Sequence, residues 1–146
     1  MATRSAIGIK HGDRIKAVYC HYDGYLEQVG RALFTYYQDS IKVNKLISMG
    51  DMSVIGADVG DKHKFNQRSE YLETGIATEC TFYTRDRGEE DAGFRSFAGE
   101  VEFVDYYQGS CCEFFYLYDH GVWYYSQGGE FTPLHESAKV KELVNA

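Results

Sequence analysis

The chain opens with two stretches, residues 4–11 and 14–22, in which apolar and polar positions alternate. A period of two is typical of β-strands that bury one face, and the Gly-Asp pair between the stretches is typical of a tight turn. The pattern therefore predicts a β-hairpin. On its second strand Tyr19 and His21 share one side of the sheet, whereas Cys20 points to the other side.

After this hairpin the apolar positions change to the period of an α-helix. Asp23 is placed to act as the N-cap residue, and the apolar residues between 26 and 37 recur every three or four positions. A second, shorter helix is predicted to begin after Asp39 and to end before a glycine. Residues 50–68 hold three glycines and show little periodicity, so they are predicted to form a long loop.

The second half of the chain is rich in residues that favour β-strands. The pair His120-Gly121 is expected to form a tight turn, and Thr132-Pro133 to cap a terminal helix that reaches Val144. Strands grouped in two blocks around helices predict an α+β fold. We expect a single domain, residues 1–146, whose mainly antiparallel sheet is built from the N-terminal hairpin and the C-terminal strands, with two or three helices packed on it. The predicted C-terminal strands are residues 78–85, 99–107, 112–119 and 122–127.

The charge of the chain narrows the classes of partner. A net charge of −7 argues against sequence-independent binding of nucleic acid, which normally uses a basic surface. No segment approaches the roughly 20 apolar residues that span a bilayer, and the first residues hold no apolar run of signal-peptide length. The sequence therefore predicts a cytoplasmic protein with no membrane partner and with reduced cysteines. Of the adjacent Cys111 and Cys112, one is expected inside and the other outside.

Aromatic residues make up 16% of the chain, and in the last two predicted strands they project from both faces of the sheet. One face is expected to cover the core. The other face needs a helix, a partner subunit or a stacked ligand to cover it. Self-association is the most economical of these explanations, so we expect a homo-oligomer.

His21 and Asp23 are the first candidates for chemistry. They lie two residues apart, so an extended backbone would aim both at one side, where the carboxylate could orient the imidazole as a general acid or base. The simpler interpretation is a helix cap beside a packed or exposed histidine. A metal needs at least a third ligand, and nothing nearby supplies one. We therefore predict no metal and no cofactor.

The segment Arg-Asp-Arg-Gly at residues 85–88 is the second candidate. Arg85 and Arg87 could converge with Arg4 or Lys10 on a phosphate or carboxylate, because a guanidinium group binds two oxygens at once. Tyr19 is a candidate contact to the same ligand. The simpler interpretation is a charged turn in which the aspartate pairs with its neighbours.

Several segments together resemble a known group of proteins. They are residues 2–9 (ATRSAIGI), 18–33 (VYCHYDGYLEQVGRAL), 80–91 (CTFYTRDRGEED) and 114–125 (FFYLYDHGVWYY). The pattern is similar to a family of small, mostly uncharacterised proteins encoded by bacteriophages and prophages, including phages of cyanobacteria. Tyr22 stands where that family is associated with Trp. The resemblance implies a phage accessory protein in the cytoplasm of a host cell, and it implies no activity or catalytic residue.

Three functions follow as hypotheses. The first is a non-catalytic binding module that engages a host protein or a small anionic ligand, which is the simplest explanation of the missing catalytic motifs. The second is a small hydrolase or transferase that acts on a phosphorylated substrate, with His21 and Asp23 as the acid/base pair and Arg85 and Arg87 holding phosphate. The third is an acidic mimic of nucleic acid, which requires acidic side chains along one face.

Overall fold

The structure is a computed structural model that describes residues 2–67, 70–137 and 140. Its strands are β1 (Arg4–His11), β2 (Arg14–Cys20), β3 (Met52–Val54), β4 (Gly56–Asp58), β5 (Ala77–Glu79), β6 (Thr81–Phe82), β7 (Arg95–Phe97), β8 (Cys112–Asp119), β9 (Val122–Ser126) and β10 (Thr132–Pro133). Its helices are α1 (Arg31–Tyr36), α2 (Ser40–Ser48), α3 (Tyr83–Arg87) and α4 (Glu100–Gln108), with a π-helical turn at Leu26–Gly30 before α1 and a 3-10 turn at Leu134–Glu136.

The main sheet has the strand order β10-β9-β8-β1-β2-β3-β6, and β7 pairs with part of β2. Most neighbours in it are antiparallel, while β1 pairs with β8 and β2 with β3 in parallel. Strands β4 and β5 form a separate two-stranded sheet. The predicted α+β fold with a mainly antiparallel sheet is confirmed. The N-terminal hairpin lies directly beside the aromatic strand β8, so strands from early and late in the described chain, β1 and β8, pair in the middle of the sheet.

The two faces of the sheet bury two separate clusters of side chains. Ile7, Val18 and Cys20 lie on the face covered by α1 and α2. Ile15 and Ala17 lie on the opposite face, with Tyr19 packed partly against them, as the alternation predicts. The Gly12 turn of the hairpin is confirmed as well, since this glycine has a φ of 61°.

Helix α4 replaces the strand predicted at residues 99–107, so this prediction is wrong. The segment alternates well enough to resemble a strand, but its buried residues Phe103, Val104 and Tyr107 follow the spacing of a helix. Val101, which belongs to the alternating pattern, is 75% exposed. Burying one helical stripe against the sheet therefore outweighs the β propensity of the aromatic residues. The covered face of β8 includes Phe115.

Other elements differ from the prediction more locally. The strand predicted at 78–85 is divided into β5 and β6 and then turns into helix α3, which ends at Gly88 in the left-handed conformation. The predicted loop at 50–68 contains the short strands β3 and β4. The pair Thr132-Pro133 forms β10 rather than a helix cap. Of the rest of the predicted terminal helix, Leu134–Glu136 form only a 3-10 turn, and Val140 is buried. Residues 138–139 and 141–144 lie outside the described residues.

Asp39 and Asp23 show opposite outcomes for predicted caps. Asp39 caps α2, since its carboxylate accepts a hydrogen bond from the Ile41 N–H at 2.9 Å. Asp23 instead has a φ of 59° and its side chain caps no helix, so the cap predicted there is wrong. The backbone turns sharply at Asp23, and the N–H of the following Gly24 donates to the carbonyl of Thr3, just before β1, at 2.8 Å.

Within the described ranges, no helix combines the length and apolar character that crossing a membrane requires.

Candidate functional site

A cavity of about 270 Å³ opens beside the end of β2, on the face of the sheet that carries α4. Its residues come from β1, β2, the position before β3, β7, α4 and the segment after α4. We call it the arginine pocket, and it is lined by Arg4, Tyr19, Asp51, Arg95, Tyr106, Tyr107 and Ser110. Two of these residues, Arg4 and Tyr19, are among the binding residues predicted from the sequence.

The sheet register explains how these residues meet. Arg4 begins β1 and pairs with Cys112 at the start of β8, so its side chain reaches the same edge region as α4. Ala17 on β2 pairs with Arg95 on β7, which places the second arginine two residues from Tyr19 along β2. Asp51 immediately precedes β3, the parallel neighbour of β2. Residues distant in sequence are therefore assembled by strand pairing.

The two arginines of the pocket are free to bind an anion. Within residues 2–67, 70–137 and 140, no carboxylate lies within 4 Å of the Arg4 or Arg95 guanidinium, and neither guanidinium donates a hydrogen bond. Arg95 lies over the ring of Tyr106 at 5.0 Å, which holds its planar group at the pocket. Because guanidinium forks match the oxygens of carboxylates and phosphates, the pocket has the donors for such a group.

Asp51 is the acidic group of the pocket. One of its oxygens accepts a hydrogen bond from the Tyr19 backbone N–H at 2.9 Å. Burial raises the pKa of Asp51 to about 6, although the Tyr19 N–H and the charge of Arg95 both favour the carboxylate. At neutral pH the pocket therefore combines two permanent positive charges with one carboxylate that is easily protonated.

Tyr19 and His21 form a hydrogen-bonded pair at the side of the pocket, and their predicted common orientation is confirmed. The Tyr19 hydroxyl lies 2.7 Å from His21 Nδ1. Burial raises the pKa of Tyr19 to about 12, while burial and the charge of Arg4 lower the pKa of His21. Both groups are therefore neutral at pH 7, so the phenol donates to Nδ1 and the histidine proton lies on Nε2.

Tyr107 adds a polar group without a partner. It is 2% exposed, and its hydroxyl has no hydrogen-bond partner among the described residues. Burial raises the pKa of this phenol further above its ordinary value, so it stays an O–H donor. A buried hydroxyl in this state costs free energy unless something accepts its proton.

The arginines predicted at residues 85–88 have other partners. Arg85 donates to the buried carboxylate of Asp86 at 2.9 Å and to the carbonyls of Val59 and Gly60. Arg87 forms an ion pair with Glu89 at 2.7 Å. The arginine and aspartate therefore fasten α3 to the loop after β4, and this segment is a short helix rather than a turn.

Asp23 also lies apart from the arginine pocket. Its carboxylate accepts a 3.3 Å hydrogen bond from the Tyr25 hydroxyl, and it lines a separate small cavity with Tyr22. No hydrogen bond or ion pair within the described part of the chain joins His21 or Asp23 to Arg85 or Arg87. The hydrolase hypothesis stays a prediction, and these contacts do not place its four residues in one site.

Five residues of the arginine pocket were missed by sequence reasoning, namely Asp51, Arg95, Tyr106, Tyr107 and Ser110. The two tyrosines lie in the segment taken for a strand, where a helical period would have placed Tyr107 on the buried face. Asp51 and Arg95 carry no local signal, because Asp51 immediately precedes one short strand and Arg95 begins another, each in a glycine-containing stretch. Only the pairing of strands distant in sequence brings them together.

A second cavity, of about 670 Å³, lies along α4 on the side of β8 and β9. Its lining includes four carboxylates as well as Tyr124 and Phe131; the carboxylates belong to Glu100, Asp105, Asp119 and Glu130. Glu100 is paired with Lys10 at 3.4 Å. Among the residues that the structure describes, no group of three histidine, cysteine or acidic side chains is arranged to hold a metal ion.

The chain was compared with protein-family models, curated proteins and solved structures, and no match was found in any of the three. The resemblance to phage proteins consequently stays a prediction that depends on the quoted segments alone. What can be said of function follows from the geometry of the arginine pocket.

Proposed function

We propose that this protein is a phage-type accessory protein that binds a small anionic ligand in the arginine pocket without converting it. The observation that carries the proposal is the presence of Arg4 and Arg95 in one cavity, with no carboxylate of the described chain within 4 Å of either. The two guanidinium groups carry more positive charge than the single carboxylate of Asp51 can balance, and an anion bound between them relieves their repulsion. The cavity volume of about 270 Å³ matches a small metabolite rather than a polymer.

The chemistry of the lining supports binding rather than turnover. Ser110 is the one aliphatic hydroxyl of the lining, and within the described residues its side chain makes no hydrogen bond to a base that could activate it. Burial raises the pKa of the neighbouring Cys112 thiol to about 12, so this group is not a reactive thiolate at neutral pH.

The proposal is tested by isothermal titration calorimetry of the protein with sodium sulfate and with methyl phosphate at pH 7. We expect Arg4→Gln and Arg95→Gln each to weaken binding at least about tenfold, the effect of losing one charge-assisted contact. Arg87→Gln is the matched control, because it removes an exposed guanidinium outside the pocket. Absence of binding in the wild type, or equal weakening by the control, would refute the proposal.

The acidic-mimic hypothesis has one observation in its favour, the four carboxylates of the 670 Å³ cavity. In this second candidate function, these four carboxylates occupy the DNA-binding surface of a basic host protein. It predicts that the protein competes with duplex DNA for a non-specific basic DNA-binding protein at low salt. Replacing Asp105 and Glu130 by the corresponding amides should abolish that competition, whereas Arg95→Gln should leave it unchanged.

Self-association and binding to a host protein stay predictions from the sequence. The aromatic face that predicted a homo-oligomer is covered by α4 of the same chain, where Phe103 packs on Phe115 with ring centroids 6.2 Å apart. Light scattering after size-exclusion chromatography measures the oligomeric state directly, and a monomer mass would end the oligomer prediction.

A further inference from the structure

Asp51 creates an electrostatic conflict in the arginine pocket. A carboxylate beside an anion-binding site repels the ligand, and the two groups share the low-dielectric environment of a half-buried cavity. The conflict disappears if Asp51 takes up a proton when the anion binds. The structure leaves room for this, because only one Asp51 oxygen is engaged, by the Tyr19 N–H. The other oxygen has no hydrogen-bond partner in the described part of the chain and can carry the proton.

The groups around Asp51 make such a proton uptake easy. Burial already raises its pKa to about 6, so at neutral pH the protonated form is only slightly disfavoured. A bound anion raises the pKa of Asp51 further, as burial does, because a nearby negative charge disfavours the carboxylate form. The charged and titratable groups that face Asp51 come from five elements and the segment after α3; they are Arg4 on β1, Tyr19 on β2, Arg95 on β7, Tyr107 on α4, Cys112 on β8 and Glu89.

The number of donors in the pocket indicates the class of ligand. Two guanidinium forks offer four well-directed N–H groups, and the Ser110 hydroxyl and a protonated Asp51 add two O–H groups. A carboxylate has two oxygens and about four lone-pair positions, so it leaves some of these donors unpaired. The three terminal oxygens of a phosphomonoester accept all of them. Two fixed positive charges likewise match a doubly charged phosphate once Asp51 is neutral.

We propose, on the basis of the anion-binding function above, that the ligand is a small phosphomonoester and that Asp51 takes up one proton from solvent as the dianion binds. The proton resides on the Asp51 oxygen that is not bonded to Tyr19, and it is shared with a phosphate oxygen. No covalent bond of the ligand forms or breaks. The pocket therefore binds its ligand more tightly as the pH falls toward 6.

Sulfate is the probe for the proton, because it stays a dianion between pH 5.5 and 8 and its own titration does not interfere. We expect its association constant to rise roughly five- to tenfold for each unit that the pH falls from 8 to 6, and to level off below. Calorimetry in two buffers of different ionisation enthalpy should show uptake of close to one proton at pH 7.5. Asp51→Asn should bind sulfate roughly thirtyfold more tightly than the wild type at pH 7.5, with no pH dependence.

His21→Gln is the matched control, because the His21 imidazole hydrogen-bonds Tyr19 beside the pocket and the ordinary pKa of a histidine lies in this range. It should keep the wild-type slope. Binding of sulfate with equal affinity at pH 6 and 8 would overturn proton uptake while leaving the anion site intact. Tighter binding of acetate than of methyl phosphate would overturn the phosphomonoester class. Failure of sulfate and methyl phosphate to bind at any pH would remove the proposed function itself, and this inference with it.

Discussion

Replacing Asp51 by asparagine should make the protein more stable at neutral pH, although this residue lies in the proposed site. An aspartate ordinarily titrates near pH 3.9, and folding raises the pKa of Asp51 to about 6. Asparagine keeps an oxygen that can accept the Tyr19 N–H hydrogen bond, and it removes the charge that burial disfavours. The substitution therefore separates the cost of the charge from the value of the hydrogen bond.

The magnitude follows from the pKa. A difference of about two between the folded and unfolded pKa values corresponds to about 3 kcal/mol at 1.36 kcal/mol for each tenfold change in proton affinity. Asp51 is only half-buried, so solvent screens part of this energy, and we expect a gain of about 1–2 kcal/mol in the free energy of unfolding. For a residue count of 146 this corresponds to a rise in Tm of about 3–6 °C.

The sign of the pH dependence is the sharper test. Because the pKa is raised on folding, the folded state binds the proton more tightly, and the wild type loses stability as the pH rises from about 4 to 6. The stability difference between Asp51→Asn and the wild type should therefore be near zero at pH 3.5 and reach its full value above pH 6. Urea unfolding followed by circular dichroism at several pH values measures this difference.

Asp86→Asn is the opposite case. Burial alone raises the pKa of Asp86, but the Arg85 guanidinium and the backbone N–H groups of Phe82 and His63 outweigh burial and lower it. This carboxylate therefore stabilises the fold at neutral pH, and its replacement should lower the free energy of unfolding. If Asp51→Asn also lost stability at pH 7, or gained it equally at pH 3.5, the electrostatic account of the pocket would be refuted.

The remaining predictions concern stability and thiol access. Tyr107→Phe removes a buried hydroxyl that has no partner among the described residues, so urea unfolding should show a free energy of unfolding about 1 kcal/mol higher. Tyr116→Phe deprives the buried Gly24 carbonyl of its donor and should lower the free energy of unfolding by about 1 kcal/mol. A decrease for both variants would show that the Tyr107 hydroxyl is hydrogen-bonded. Gly24→Ala would place a Cβ 2.8 Å from a β1 side chain, and thermal unfolding should show a loss of about 1–3 kcal/mol, so an unchanged Tm would contradict this packing. Arg85→Ala leaves the buried carboxylate of Asp86 unpaired and should lower the free energy of unfolding by about 3 kcal/mol in the same assay. A decrease no larger than that caused by replacing an exposed arginine would refute a stabilising role for this ion pair. Ellman's reagent should modify Cys111 rapidly in the folded protein and all four thiols only after denaturation; rapid reaction of a second thiol would refute the burial of the other three.

The sequence predicts those parts of the fold that depend on neighbouring residues. The hairpin and the turn at His120 follow from a two-residue period and from residues that tolerate positive φ. The expected division of the adjacent Cys111 and Cys112 between outside and inside is confirmed too. Segment 99–107 shows where this reasoning fails. Its period is ambiguous, and it forms a helix because one apolar face of β8 needs a helix to cover it.

The candidate site could be predicted only in part, for a related reason. The orientation of Tyr19 toward His21 is a local consequence of strand geometry, and it was predicted correctly. The association of Arg4 with Arg95 depends on the order of strands in the sheet, which no local pattern contains. Arginines 85 and 87 looked more suggestive in sequence because they stand close together, yet both are paired within their own segment.

The parallel pairing of β1 with β8 has a consequence for how the chain is made. On a ribosome the first hairpin emerges early, but its central neighbour leaves the exit tunnel only after most of the polypeptide has been synthesised. Until then β1 presents an unprotected edge to other nascent chains. We expect refolding to be limited by this late docking step, and coexpressed peptides that copy residues 112–119 to trap the unfinished protein.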